Sequence, residues 1–170
     1  MKYLVVSDNH GDYFVLKELA DKYRGKVDEM FHCGDSELSP TDPIWNDFHV
    51  VTGNCDYDSR FSNSQTLSNG LDKIYMTHGH RSSVRFGLQH LFYEAEESGA
   101  NIALYGHTHQ LFAELVENIL IVNPGSISQP RGRFRVKTYA IIESTPEKYI
   151  VSYFNEQHQP LPELTQEFKR

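Results

Sequence analysis

Short apolar runs separated by polar, glycine-containing turns set the rhythm of the first two-thirds of the chain. Five stand out: KYLVV (2–6), EMFH (29–32), FHVV (48–51), KIYM (73–76) and NIALY (101–105). Each is too short for a helix and rich in Val, Ile, Tyr or Phe, which predicts buried strands. Two stretches between them have a helical period instead. DYFVLKELADKY (12–23) gathers Phe14, Val15, Leu19 and Tyr23 at spacings of three or four, with Asp12 available as N-cap. FGLQHLFYEAEESG (86–99) gathers Leu88, Leu91, Phe92 and Ala95 on one face, and Gly99 suits a C-cap. Strands alternating with helices predict an α/β domain with a largely parallel sheet.

The last third has a different pattern. LFAELVENILIVNPG reads as a hairpin turning at Glu117 and Asn118, and TYAIIESTPEKYIVSYF as another turning within STPEK. Hairpins after an α/β beginning predict a second sheet packed on the first, an α/β (α+β) arrangement. The tail after Pro160 reads as a short helix or a frayed end. No repeat, low-complexity tract or Gly/Ser linker interrupts the chain, so one domain is expected over residues 1–170.

Composition removes several functional classes. With 39% hydrophobic and 23% charged residues the chain is ordinary for a soluble globular protein, and a net charge of −7 argues against a nucleic-acid footprint. No segment approaches the roughly 18–20 apolar residues of a membrane span. The N-terminal apolar run is far below the roughly 7–15 residues of a signal-peptide core. Cys33 and Cys55 do not make a disulfide framework, so a cytoplasmic location is the default expectation.

The residues that follow the five runs carry the chemistry. KYLVV leads into SDNHG (Asp8, His10), MFHC into GD (Asp35), HVVT into GNCD (Asn54, Cys55, Asp56), IYMT into HGH (His78, His80), and IALY into GHTH (His107, His109). Ligands in open α/β sheets bind where strand ends converge, so these loops predict one cleft lined by nitrogen and oxygen donors. Gly11, Gly34, Gly53, Gly79 and Gly106 are expected to let the backbone turn sharply there. In GHTH, alternate residues of an extended segment would face the same way.

Any one cluster is better explained as a turn or a cap; five together are not. Asp8, His10, Asp35, Asn54, His78, His107 and His109 are too many for one structural zinc, which takes about four ligands and usually several thiolates. They suit two divalent ions sharing a carboxylate. The mixed donors favour Mn²⁺, with Ni²⁺, Fe²⁺ or Zn²⁺ as alternatives, over the all-oxygen sites of Mg²⁺ or Ca²⁺. Two ions about 3.5–4 Å apart are the usual device for attack on phosphate esters. Two carboxylates and a bridging hydroxide would leave such a site net positive, attractive to an anionic ester.

SDNHG, GD, GNCD, THGH and GHTH, in that order, resemble the calcineurin-like metallophosphoesterases, and most closely their small single-domain bacterial and archaeal phosphodiesterases. NPGS (123–126) extends the resemblance. It implies two packed β-sheets flanked by helices, a four-layer αββα sandwich. It further implies that Asp8, His10, Asp35 and His109 hold one metal and Asp35, Asn54, His78 and His107 the other. Asp35 would then be the bridge, and a metal-bridging hydroxide the nucleophile. Asn54 would also orient a phosphate oxygen of a small phosphate-ester substrate.

In the protein-phosphatase branch the residue after that asparagine is a histidine that protonates the leaving group. Here it is Cys55, and a thiol with a reference pKa of about 8.5 is a poor substitute. Cys55 and Cys33 are read as small buried side chains. Leaving groups that need little protonation suffer least, which shifts the expectation from phosphoprotein phosphatase to phosphodiesterase. His80 reads either as a replacement acid or as a hydrogen-bonded neighbour of the ligands. Arg131, Arg133 and Arg135 read as a solvent-exposed loop in preference to a phosphate clamp, with Arg81 and Arg85 as weaker substrate candidates. The alternatives are a phosphomonoesterase, or a protein-binding scaffold like the eukaryotic retromer subunit of similar fold, whose ligands are altered.

Overall fold

The computed structural model describes residues 1–170. The strands are β1 (Lys2–Val6), β2 (Glu29–His32), β3 (His49–Val50), β4 (Ser64–Ser68), β5 (Lys73–Thr77), β6 (Ile102–Leu104), β7 (Leu111–Val116), β8 (Ile119–Pro124), β9 (Thr138–Ser144), β10 (Lys148–Asn155) and β11 (Gln166–Lys169). Two α-helices, α1 (Tyr13–Tyr23) and α2 (Gln89–Glu97), and two short 3₁₀ turns complete the chain.

The strands form two mixed sheets, in the orders β11-β10-β9-β1-β2-β3 and β4-β5-β6-β8-β7. The expected division by sequence, parallel strands in one sheet and hairpins in the other, is not what forms. The hairpin β9–β10 adds beside β1, with Tyr3 opposite Ile142, and the hairpin β7–β8 adds beside β6, with Ala103 opposite Ile121. Each sheet therefore combines a parallel part that carries loop clusters with an antiparallel part that covers an edge.

Alternation along β1 sets the layers. Tyr3 and Val5 point between the sheets, into a core shared with Phe31, Ile74, Met76, Leu104, Val122 and Tyr153. Leu4 and Val6 point outward, against Val15, Leu16, Leu19 and Ala20 of α1. On the far side Leu91 and Ala95 of α2 cover Ala103 and Ile121. The order of layers is α1, first sheet, second sheet, α2, as the family resemblance implies.

Several elements differ from the sequence reading. Asp12 does cap α1, accepting from Val15 N at 3.3 Å, but Phe14 is 76% exposed and Leu16 takes its expected place in the core. Helix α2 starts only at Gln89, because residues 80–86 form turns. Of FHVV only His49–Val50 is strand. Strand β4 escapes prediction because it is an edge strand of polar and half-buried positions. The tail is neither helical nor frayed: β11 pairs with β10, and the Arg170 guanidinium donates to Leu71 O at 2.9 Å. No helix is long and apolar enough to cross a membrane.

Candidate metal centre

The five loop clusters meet where the carboxyl ends of the two sheets adjoin. Three come from the first sheet, after β1, β2 and β3, and two from the second, after β5 and β6. Backbone bonds fasten them: Asp8 N donates to Gly34 O (3.1 Å), His10 N to Asp35 O (3.1 Å), and Gly106 N to His78 O (3.1 Å). Among the bonds that cross between the sheets are two that reach the ligand loops through histidines. His78 Nδ1 lies 2.6 Å from Cys33 O, and His107 N donates to Asp8 Oδ2 at 3.2 Å.

The side chains converge as the loops do. Donor atoms of Asp8, His10, Asp35 and His109 all lie within 4.8 Å of one another. His109 Nε2 is 3.0 Å from Asp8 Oδ1 and 3.3 Å from His10 Nε2. His78 Nε2 is 3.4 Å from Asp35 Oδ2 and 3.2 Å from Asn54 Oδ1. The His107 ring packs edge-on against His78, centroids 5.1 Å apart. The seven predicted ligands thus gather at one place, with Asp35 common to both halves.

What the convergence demands follows from the outer ring nitrogens. His10 Nδ1 is held by Glu37 Oε1 (2.7 Å), His109 Nδ1 by Gln129 O (2.7 Å) and His78 Nδ1 by Cys33 O. A carbonyl or carboxylate only accepts, so each Nδ1 must be the protonated nitrogen and each neutral ring turns an Nε2 lone pair inward. Inside, those lone pairs face one another and two carboxylates. Asp8 Oδ1 is fully buried and receives no hydrogen bond. Lone pairs and anionic oxygens packed this closely fit a cation.

The electrostatics of the Asp35–His78 pair point the same way. Burial works against an ionised Asp35, but the adjacent His78 and the Cys55 N–H outweigh it and hold the carboxyl below its usual range. Burial likewise opposes charge on His78, and Asp35 and Asp8 outweigh it, raising its affinity for a proton. Metal must displace that proton, so affinity is expected to rise with pH.

The backbone is strained where it carries ligands. Asp8, His10, Asp35, His107 and His109 all have left-handed φ, between 44° and 66°. GHTH is therefore a pair of bends, not an extended segment, and its histidines share a direction through left-handed turns. Gly53 and Gly106 also serve differently than expected. Neither has positive φ; a Cβ on Gly53 would meet the Asp35 carboxylate, and one on Gly106 would meet Ser7 Oγ and Asp8 Oδ2.

Cys55 is half-buried rather than buried, while Cys33 is fully so. The Cys55 backbone N–H donates to Asp35 Oδ1 at 2.7 Å. Burial and then the Asp35 charge push its thiol up to about 11, so it stays protonated and is a poor ligand or nucleophile. Cys55→Ala keeps that backbone bond and is expected to retain at least about a third of whatever hydrolytic turnover the site supports; a fall below about a hundredth, with the fold intact, would contradict this account. His80 packs 5.3 Å from the His78 ring, and burial and His78 hold it below its ordinary range.

Four supporting residues were not assigned roles from sequence. Asp56, in the GNCD block, accepts from Gly53 N (2.7 Å), Glu37 N (2.7 Å) and Ser36 Oγ (3.1 Å), locking two loops together. Glu37 orients His10. Ser126, within NPGS, donates to Asp8 O at 2.8 Å, and Asn123 holds Gly106 O at 2.8 Å. Only the block NPGS signalled the last two. Arg131, Arg133 and Arg135 are exposed as expected; Arg131 and the equally exposed Arg85 both line a cavity of about 490 Å³.

Comparison with known proteins decides the family. The sequence model of the calcineurin-like phosphoesterase superfamily domain matches residues 1–147. The chain belongs to the calcineurin-like phosphoesterase superfamily. A Bacillus subtilis relative named a probable metallophosphoesterase is 37% identical over 164 residues, 96% of each chain. Among solved structures, one described as a predicted phosphoesterase from Streptococcus pneumoniae superposes with TM-score 0.97 at 43% identity, covering 99% of this chain and 97% of that one. A Methanocaldococcus jannaschii protein named a phosphodiesterase is 39% identical over 54 residues, 31% of this chain and 28% of its own. Within this superfamily two mixed sheets and divalent metals are the rule, and the cluster at the strand ends of this phosphoesterase fits such a metal.

Proposed function

We propose that the protein hydrolyses small phosphate diesters with two divalent ions. Asp8, His10, Asp35 and His109 hold one ion, and Asp35, Asn54, His78 and His107 hold the other. The observation that carries this reading is the inward-facing set of Nε2 lone pairs and the unbonded Asp8 Oδ1. When bound, the ions supply Lewis acidity toward a phosphoryl oxygen and acidify water. Mn²⁺ suits the mixed nitrogen and oxygen donors, with Ni²⁺, Fe²⁺ and Zn²⁺ next.

The chain's own groups position the ester. The Asn54 amide rests on Cys55 Sγ at 3.4 Å, a weak bond readily exchanged for one to a phosphate oxygen. His80, beside His78 and His107, stands where a replacement acid would, but its lowered affinity for a proton favours the role of a neighbour that supports the ligands. With Cys55 where the phosphatase branch has histidine, leaving groups that depart unprotonated are favoured, which points to diesters of acidic alcohols. The complete ligand set speaks against a pure scaffold, because loss of one ligand type would unmake the site.

The test is hydrolysis of bis(4-nitrophenyl) phosphate and 4-nitrophenyl phosphate by metal-stripped protein, with Mn²⁺, Ni²⁺, Mg²⁺ or nothing added. Mn²⁺ is expected to raise diester turnover at least about a hundredfold, with the diester preferred to the monoester by about tenfold. No turnover with any metal, in folded protein that binds two ions, would sink the enzymatic reading and leave the scaffold.

A further inference from the structure

The arginines of this chain divide into two groups. Arg24, Arg60 and Arg170 pair with Asp47, Asp58 and Asp72, away from the strand-end loops. Arg81, Arg85, Arg131, Arg133 and Arg135 make no ion pair, and all follow the HGH and NPGS blocks. In a chain of net charge −7, residues 78–93, 101–113 and 119–142 contain no aspartate or glutamate at all. These segments supply no carboxylate of their own; those that reach them from outside engage Ser82 (Glu94) and Lys137 (Glu156), and none pairs with the five arginines.

Two of these arginines face a cavity. Arg85 and Arg131 line the space of about 490 Å³, over a floor that includes Leu88, Leu111 and Phe112. Thr108 is part of the same wall and lies between the ligands His107 and His109. Arg131 N donates to His109 O at 2.9 Å, so the Arg131 backbone is anchored to a residue of the candidate metal centre. Arg133 is engaged otherwise, its guanidinium 5.3 Å from the Phe134 ring.

Unpaired guanidiniums on an apolar floor suit a body of ring size that carries its own negative charge. We propose that this cavity binds one esterified half of the substrate, a ring-bearing alcohol with a second, non-scissile phosphate. The substrate class is then a diester with an additional phosphate monoester, of nucleotide size. This assignment rests on the diesterase reading above, with the scissile phosphate at the metal centre and the second phosphate between Arg85 and Arg131.

A matched pair of chromogenic diesters isolates the second phosphate: thymidine 5′-(4-nitrophenyl phosphate), and the same compound phosphorylated at its 3′ oxygen. Both release 4-nitrophenolate, so the chemistry is constant. For the Mn²⁺-loaded protein, kcat/KM is expected to favour the 3′-phosphorylated compound by about tenfold or more, mainly through KM, with the preference shrinking at higher NaCl. In the double variant Arg85→Gln/Arg131→Gln the ratio of the two kcat/KM values falls close to one, while Arg133→Gln keeps the wild-type ratio. Calorimetry on metal-free protein gives a second readout: thymidine 3′,5′-bisphosphate binds more tightly than thymidine 5′-phosphate, and the double variant loses the difference. A ratio near one in the wild type, or an unchanged ratio in the double variant, overturns the proposal while turnover itself upholds the diesterase reading. No turnover of either compound, with selective bisphosphate binding intact, overturns the diesterase reading and leaves the anion pocket standing.

Discussion

Asp35→Asn is expected to lower Mn²⁺-dependent diester turnover by about a thousandfold, about 4 kcal/mol of transition-state stabilisation, and to leave less than one bound ion per chain. Asp35 Oδ1 accepts the Cys55 N–H, and Oδ2 lies 3.4 Å from His78 Nε2. In asparagine the oxygen keeps the Cys55 bond, which turns an uncharged NH₂ toward the His78 nitrogen. One of the two full negative charges that counter the ions is lost, at the position common to both halves of the site. The substitution is isosteric, and Asn tolerates the left-handed φ of 53° found here, so the fold should persist. Metal analysis by emission spectroscopy with matched kinetics is the check. Turnover within tenfold of wild type, with two ions retained, would remove Asp35 from its shared role.

Gly106→Ala is expected to damage the fold and the site together. Gly106 does not have positive φ, so its backbone would accept alanine. The obstacle is the space: a Cβ would meet Ser7 Oγ and stand 2.7 Å from Asp8 Oδ2, and both residues are fully buried. Crowding of this kind costs about 1–3 kcal/mol, which for a chain this size lowers Tm by about 2–12 °C. Displacing Asp8 by a fraction of an ångström should cost turnover about a hundredfold as well. Gly70→Ala is the informative comparison, since Gly70 is left-handed at φ 88° with open space around it. That change should cost about 1 kcal/mol and leave kcat/KM unaltered. Calorimetric unfolding and steady-state kinetics on the two variants separate crowding from strain; equal losses in both would refute the argument from space.

The candidate cluster was readable because each ligand loop follows a short β-rich run and contains a glycine, so position along the chain already implied convergence. The partition into sheets was not. Which strand β9 pairs with depends on side-chain packing between layers, and nothing local to TYAIIES says that it will lie against KYLVV. Strands β4 and β11 were missed because edge strands bury little and so carry a weak apolar signal. The left-handed conformations at Asp8, His10, Asp35, His107 and His109 were also hidden. Asp and His adopt this conformation more readily than most residues, but which of them do so here is set by tertiary contacts and not by local sequence. Glu37 and Asp56 are ordinary acidic residues in sequence, and only the fold shows that one orients a ring and the other ties two loops.

The place of β1 in its sheet governs when the cleft comes into being. Its neighbours are β2 on one side and β9 on the other, the Met1 amine reaches Ser144 O, and Ser126 clasps the Asp8 carbonyl. The first ligand loop therefore waits for partners encoded far downstream, and pairings of such long sequence separation form slowly. A nascent chain ending before residue 138 holds all seven candidate donors but lacks the strand that flanks β1 in the finished sheet. On the proposed reading, ion uptake is thus expected to come late, once β9 has joined β1, in a finished cleft and not on a growing polypeptide.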